Sequence, residues 1–241
     1  MPNVLITGSS RGIGLELVRQ YAADGWDVQA MARAPDKAVA LQEAARQNAH
    51  IRIHALDVTD FAAVDRLAIE LRGQPIDVLI NCAGVFGGGA FIPDAPQPHQ
   101  DFGDLDYAAW RQVLEVNTLA PTKMIEAFTD HIAASDQKKI VMITSFMGSI
   151  GALMEEDGGF YPYRTSKAAL NMVARLLSMS LRKHGMTVLT LHPGWVQTDM
   201  GGPSATVPVP ESAKGLRRVI DMATPQQSGS FLTYQGETLP W

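Results

Sequence analysis

Apolar residues alternate between two spacings along the chain. Short runs rich in β-branched and aliphatic residues occur at Asn3–Thr7, Asp27–Ala32, Ile51–Leu56, Val78–Asn81, Ile140–Thr144 and Thr187–Leu191, with a further one at Ser230–Tyr234. Between them, apolar positions recur with helical period over 12–24, 35–48, 60–72, 107–134, 162–184 and 211–223. Strands that are almost continuously apolar, each followed by an amphipathic helix, predict a parallel sheet covered on both faces by crossover helices. The fold class expected is α/β, a doubly wound parallel sheet, with no sequence repeat and no linker dividing residues 1–241. Three irregular segments at about 84–106, 146–160 and 195–210 follow strand ends, where open α/β sheets bind ligands, and are read as functional loops.

Composition narrows the classes. The chain has 241 residues, a net charge of −5 and one cysteine, Cys82. An intrachain disulfide framework is excluded, and no Cys/His cluster has zinc spacing. The acidic balance argues against a nucleic-acid partner, whose phosphates call for clustered Lys and Arg. No uncharged run reaches the ~17–25 residues of a membrane-spanning helix, and the apolar start lacks a basic leader. A cytoplasmic protein without a membrane partner is the expectation.

The first strand runs into Thr7-Gly8-Ser9-Ser10-Arg11-Gly12-Ile13-Gly14, and a helix follows at once. Such a turn presents backbone N–H groups and a positive helix end to an anion. Gly8 permits the tight turn, Gly12 lets a pyrophosphate approach, and Gly14 lets helix and strand pack closely. A dinucleotide fold selects its cofactor at the end of the second strand, where a carboxylate implies NAD and an arginine accommodates the 2′-phosphate of NADP. Here the segment reads Met31-Ala32-Arg33-Ala34, without a carboxylate, and Arg11 and Ser10 lie in the glycine turn. Two solvated arginines would give the same letters, but the pair points to NADP(H).

Taken together, these motifs resemble the short-chain dehydrogenase/reductase family along essentially the whole chain. The glycine pattern spans Thr7 to Gly14, the adenine-contacting Asp-Val pair matches Asp57-Val58, and the Asn-Asn-Ala-Gly turn matches Asn81-Cys82-Ala83-Gly84 with one departure at Cys82. The mid-helix Asn matches Asn117, the strand-end Ser matches Ser145, and Tyr-x-x-x-Lys matches Tyr163 and Lys167. The Pro-Gly turn with its following Thr matches Pro193-Gly194-Trp195-Val196-Gln197-Thr198. The segment HPGWVQTDM and the ending GETLPW look like carbonyl reductases of the sniffer and C-factor type. The resemblance implies a Rossmann-type sheet with strand order 3-2-1-4-5-6-7. It also implies an NADPH-dependent reduction of a small-molecule ketone, aldehyde or quinone to an alcohol. Alternatives kept open are a 3-oxoacyl carrier-protein reductase and a non-catalytic dinucleotide-sensing or signalling protein.

The chemistry explains the residue types. A free tyrosine, pKa about 10, is a sluggish acid near neutrality and needs a nearby cation to favour phenolate. Lys167, four residues on, faces the same side of a helix as Tyr163, whereas Tyr161 has Thr165 in that place. By the resemblance, Tyr163 is the general acid and Lys167 lowers its pKa and holds the nicotinamide ribose. Ser145 would bind the substrate oxygen, and Asn117 would hold a relay water. Val196 and Thr198 would orient the nicotinamide, and Trp195 would wall the substrate site. His192 reads as a packed residue, and the methionines as mostly core. A homodimer or homotetramer is expected through the helices around 107–134 and 162–184, with Leu170, Met172 and Leu176 as apolar residues the sheet leaves uncovered. An insertion at Glu155, Glu156 and Asp157 is expected to shape the pocket or the subunit contacts.

Overall fold

A computed structural model describes residues 1–87, 99–154 and 158–241. Glu155, Glu156, Asp157 and the centre of the loop at about 84–106 lie outside the described residues. The strands β1 (Asn3–Ile6), β2 (Asp27–Ala32), β3 (Ile51–Ala55), β4 (Val78–Asn81), β5 (Lys139–Ile143), β6 (Thr187–His192) and β7 (Ser230–Thr233) form one seven-stranded sheet in the order β3-β2-β1-β4-β5-β6-β7. Every neighbouring pair is parallel. The expected α/β doubly wound architecture and its strand order are both present.

Alternation within each strand builds the two sides of the core. Val4, Ile6, Val28, Val78, Ile80 and Val141 face one way and meet α1 (Gly12–Ala23), α2 (Val39–Gln47) and α7 (Val209–Met222) through Leu17, Leu41 and Leu216. Leu5, Leu79, Ile140 and Met142 face the other way and meet α3 (Phe61–Glu70), α5 (Ala120–Ala133) and α6 (Tyr161–Ser180) through Leu67, Phe128 and Leu170. Because side chains in a strand point to opposite faces in turn, a continuous apolar run is what two covered faces require.

Several boundaries depart from the expected ones for local reasons. The helix expected over 35–48 starts at Val39, because Pro35–Lys37 form a separate 3₁₀ turn and Ala38 is not helical. The helix expected over 162–184 ends at Ser180, and a 3₁₀ turn at Arg182–His184 then reaches Gly185, whose φ of 71° closes the turn. The long helix over 107–134 is broken into α4 (Tyr107–Leu114) and α5 by a π turn at Glu115–Leu119 that contains Asn117. Such turns recur at functional sites.

Two expectations about apolar residues need correction. Leu170 is core, 1% exposed against α5 and the sheet, whereas Met172 and Leu176 on the same helix are 61% and 55% exposed. The methionines are not mostly core: Met31, Met124, Met142 and Met186 are buried, while Met1, Met154, Met172, Met179 and Met222 are exposed. A flexible thioether suits a gap in the core, but it also suits an uncovered helix face.

Candidate active site

The chain diverges at β1 and β4, because β2 and β3 extend the sheet to one side and β5, β6 and β7 to the other. A crevice opens at such a reversal beyond the carboxyl ends of the strands. Here it is a cleft of about 640 Å³, bordered by Gly8, Arg11, Arg33, Asp57, Tyr163 and Thr198 among others. Its floor is a glycine turn held by hydrogen bonds. Thr7, 1% exposed, accepts from the amides of Cys82 and Ala83 at 3.0 and 3.1 Å, and the Ser9 hydroxyl donates to Ile6 at 2.8 Å.

Close backbone approach dictates two of the glycines. A Cβ on Gly8 would lie 2.8 Å from the Ala83 backbone, and one on Gly14 would lie 2.3 Å from the Gly8 carbonyl oxygen. The first turn of α1 carries neither an acidic residue nor a side-chain cap at Arg11. Its leading N–H groups and positive end therefore point into the cleft uncompensated, as an anion site requires. Arg33 borders the cleft from the end of β2 and faces Asp57. Burial raises the Asp57 carboxyl, but the Thr59 amide and hydroxyl and the Arg33 charge hold it below the usual range. Sequence reasoning missed the partner of Arg11, whose guanidinium lies 2.6 Å from Asp199 across the cleft mouth. Both are exposed, so this pair contributes little and is easily exchanged. The donor pattern, the glycine cradle and the two cations together fit a dinucleotide with a further phosphate.

At the other end of the cleft stand Tyr163 and Lys167, one helical turn apart on α6 and 7% and 5% exposed. The Lys167 Nζ lies 5.7 Å from the centre of the Tyr163 ring and donates to the Ile143 carbonyl at 3.0 Å. Burial pushes the Tyr163 phenol up to about 12, partly offset by a hydrogen bond with Ser145. The same burial pulls the Lys167 ammonium down to about 8. Ser145 follows β5 and caps the short turn at Phe146–Gly148, its hydroxyl accepting from the Met147 amide at 3.2 Å. Gly148 is needed there, since a Cβ would lie 2.7 Å from Lys167. The side chain of Asn117 is committed: Oδ1 accepts from the Val85 amide, and Nδ2 donates to the Val85 carbonyl and the Ser166 hydroxyl, each at 2.9 Å.

Most residues singled out by sequence converge on the cleft. Gly8, Ser10, Arg11, Gly12, Ile13, Gly14, Arg33, Asp57, Val58, Ala83, Gly84, Tyr163, Lys167, Pro193 and Thr198 border it. Ser145 reaches it through Tyr163. Asn81 lies beneath the turn, with its Nδ2 3.6 Å from the Met142 sulfur. Val196 is buried, and the Trp195 indole N–H donates to the Gly201 carbonyl at 2.7 Å within the loop after β6. His192 is packed as expected. Burial pulls its imidazole down to about 4, and Nδ1 accepts from the Phe146 amide at 3.2 Å. Among the described residues no acidic, histidine or cysteine cluster could hold a metal, and no helix is long and apolar enough to cross a membrane.

Comparison with known proteins agrees with this geometry. The sequence model of the short chain dehydrogenase family matches residues 2–206. The chain is 45% identical over 167 residues to C-signal of Myxococcus xanthus, covering 69% of this chain and 93% of that protein. It superposes on the NADPH-bound carbonyl reductase from chicken fatty liver with a TM-score of 0.88 at 34% identity, covering 100% of this chain and 99% of that one. It superposes on the carbonyl reductase Sniffer of D. melanogaster with a TM-score of 0.87 at 30% identity, covering both chains completely.

The tightest contact in the cradle offers a direct check. Gly14→Ala places a methyl group against the Gly8 carbonyl, and overpacking of this kind costs about 1–3 kcal/mol. Urea unfolding is expected to report that loss, and titration of protein fluorescence with a dinucleotide should show weakened binding. An unchanged midpoint and unchanged affinity would mean that the turn is looser than its geometry.

Proposed function

The chain belongs to the short chain dehydrogenase family, and we propose that it is an NADPH-dependent reductase of ketones, aldehydes or quinones. The observation that carries the reading is the placement of Tyr163 and Lys167 in the same cleft as the glycine turn and Arg33. Gly8, Gly12 and Gly14 with the start of α1 would hold the pyrophosphate, and Arg33 with Arg11 and Ser10 the 2′-phosphate. Asp57 and Val58 would hold the adenine. Asn81, Ala83 and Gly84 would shape the ribose side, and Pro193, Val196 and Thr198 the carboxamide side. The reduced nicotinamide, when bound, supplies the hydride.

The remaining work falls to the chain. Ser145 would donate a hydrogen bond to the carbonyl oxygen, where negative charge develops. Tyr163, kept protonated by burial, would deliver its phenolic proton to that oxygen. The Lys167 ammonium would stabilise the phenolate left behind and hold the ribose. Since the amide of Asn117 is committed to Val85 and Ser166, its part is to fix those two segments, and we assign the relay water to the main chain of its π turn. Trp195 would wall the substrate site, with its indole N–H on Gly201 bracing the 195–210 loop. A single unpaired cysteine, Cys82, suits the cytoplasm. The likeness to C-signal favours a signalling role as the second reading, and the loss of turnover in a tyrosine variant separates it from catalysis.

Tyr163→Phe keeps the ring but removes the proton, and general acid catalysis contributes about 10²–10⁴-fold. Turnover with a carbonyl panel is expected to fall that far while NADPH affinity stays within a few-fold. Burial disfavours the charged form of Lys167, so its ammonium is present below about pH 8 and lost as pH rises through it. The kcat/KM profile for reduction should accordingly be level below that pH and fall above it. Near-wild-type turnover in Tyr163→Phe would overturn the mechanism, and protein that reduces no carbonyl at all would favour signalling.

Cofactor choice is tested separately. Charge-assisted bonds to phosphate contribute about 1.5–3 kcal/mol, so Arg33→Ala should weaken NADPH binding roughly 10- to 150-fold and barely touch NADH. Ala32→Asp should then shift preference towards NADH. Equal affinity of the unaltered chain for both cofactors would contradict the assignment.

Self-association is proposed through the outer faces of the helical pair, where Leu119, Met172, Leu176 and Met179 are 54–61% exposed. Large exposed apolar side chains on neighbouring helices are the kind of surface that marks an interaction site. Light scattering is expected to give a dimer or tetramer; the 26.1 kDa single chain at every concentration would count against it.

A further inference from the structure

The segment that leaves Ser145 is held from two sides, and the second side is far away in sequence. Its first turn is locked to α6: Gly148 sits against Lys167, and Asn171 Nδ2 donates to the Gly148 carbonyl at 3.1 Å. Its next residues are held by the end of the chain. After β7 a turn at Gly236 reverses the backbone, the Thr233 amide donates to Glu237 at 2.8 Å, and the Leu239 amide donates to Phe231 at 2.8 Å. This returning strand carries Pro240 and Trp241 onto the loop. There the Ser149 hydroxyl, on a residue 3% exposed, donates to the Pro240 carbonyl at 2.6 Å and more weakly to Trp241 at 3.3 Å. The Gly151 amide donates to the Trp241 main-chain oxygen at 2.7 Å. Ser149 also accepts from the Ala152 amide at 3.1 Å, so one hydroxyl joins the tail to the loop's own turn.

The fit is specific on both sides. A Cβ on Gly151 would come within 3.3 Å of Pro240 and Trp241. The Trp241 ring lies 5.3 Å from the ring of Phe231, which is 1% exposed. The sheet edge therefore anchors the indole, the indole anchors the backbone oxygens, and these hold Ser149–Ala152. The loop so held presents Ile150, Leu153 and Met154 to solvent at 75%, 52% and 61% exposure. This segment starts at Ser145, which bonds Tyr163, and passes Gly148 against Lys167, so three exposed apolar side chains on it would suit a bulky apolar carbonyl compound.

We propose that residues 237–241 clamp this loop, with Ser149 and Trp241 as positioning residues that favour bulky apolar carbonyl substrates over small ones. The proposal rests on the reductase reading, and its test keeps the two apart. Three variants are compared with the unaltered protein: a chain ending at Leu239, Ser149→Ala, and Trp241→Phe, which keeps the ring contact. Menadione and propanal serve as bulky and small probes with NADPH. Hydrogen exchange at the Gly151 amide reads the clamp without any activity.

Freeing the loop should speed Gly151 exchange about 10-fold or more in the shortened chain, because local opening then no longer breaks the tail contact. The KM for menadione should rise about 10-fold while kcat, the KM for propanal and NADPH affinity stay within about 2-fold, the pattern of lost binding rather than lost chemistry. Ser149→Ala should move the same two readouts in the same direction, which keeps the test open if the shortened chain fails to fold. Trp241→Phe should stay close to the unaltered protein. Unchanged exchange at Gly151 overturns the clamp whatever the activity. Faster exchange with an unchanged menadione KM overturns the positioning role. Faster exchange in a protein that reduces neither probe overturns the reductase reading and supports the clamp.

Discussion

The hydroxyl of Thr7 accepts from two successive amides, Cys82 and Ala83, and so ties the turn after β1 to the turn after β4. These two turns are where the sheet divides, and they must occupy nearly the same space. Gly8 makes that possible by having no Cβ to strike Ala83, and Gly14 by letting α1 close over the Gly8 carbonyl. Once this crossing is fixed, the start of α1 can only point into the crevice between β1 and β4. Ala83 and Gly84 are then delivered to its wall, and Gly84 lies against both Asn117 and Lys167, where a Cβ would be 3.3 Å from the amide oxygen of one and 3.7 Å from the ammonium of the other. A single buried hydroxyl thus links the glycine-turn end of the cleft to its Tyr163–Lys167 end.

What the sequence made legible follows from periodicity and from backbone demands. The strands fall within about a residue of their apolar runs, because a parallel sheet covered on both faces tolerates few polar positions. The glycine turn was readable because its side chains are excluded for steric reasons that hold in any context. Tyr163 and Lys167 were readable as a pair because four residues make one turn. The assignment of which α6 residues are buried was not readable, since Leu170, Met172, Leu176 and Met179 put apolar character on more than one face. Only the neighbouring α5 and sheet decide that Leu170 is inside and Met172 outside. The Arg11–Asp199 pair, 188 residues apart, and the contact of Trp241 with Gly151 depend on loops whose paths have no local signature. The bond of the Trp195 indole to the Gly201 carbonyl likewise has no local signature.

The two ends of the site are built from different materials. At the dinucleotide end the contacts offered are backbone amides, a helix end and glycines, which change little when side chains are exchanged. At the other end, Phe86 after β4 and Ser145 after β5 meet Tyr163, and the described parts of the loops rest on side-chain bonds such as those of Ser149, Trp195 and Asn117. One part of the chain can therefore stay constant while the other changes the molecule accepted, which is why the cofactor was easier to read than the substrate.

Burial sets the electrostatics of the Tyr163–Lys167 end of the cleft. Burial pushes the Tyr163 phenol up to about 12, which favours its protonated form, the one that the proposed reduction calls for. The Ser145 bond pulls the other way, by stabilising the phenolate that donation leaves. Lys167 adds a charge 5.7 Å from the ring, but its own burial makes that charge costly, and the Ile143 carbonyl at 3.0 Å offsets part of the cost while fixing where the ammonium sits. In the reduction proposed above, a phenol that is reluctant to ionise in isolation would give up its proton to an acceptor oxygen held by Ser145 and Tyr163.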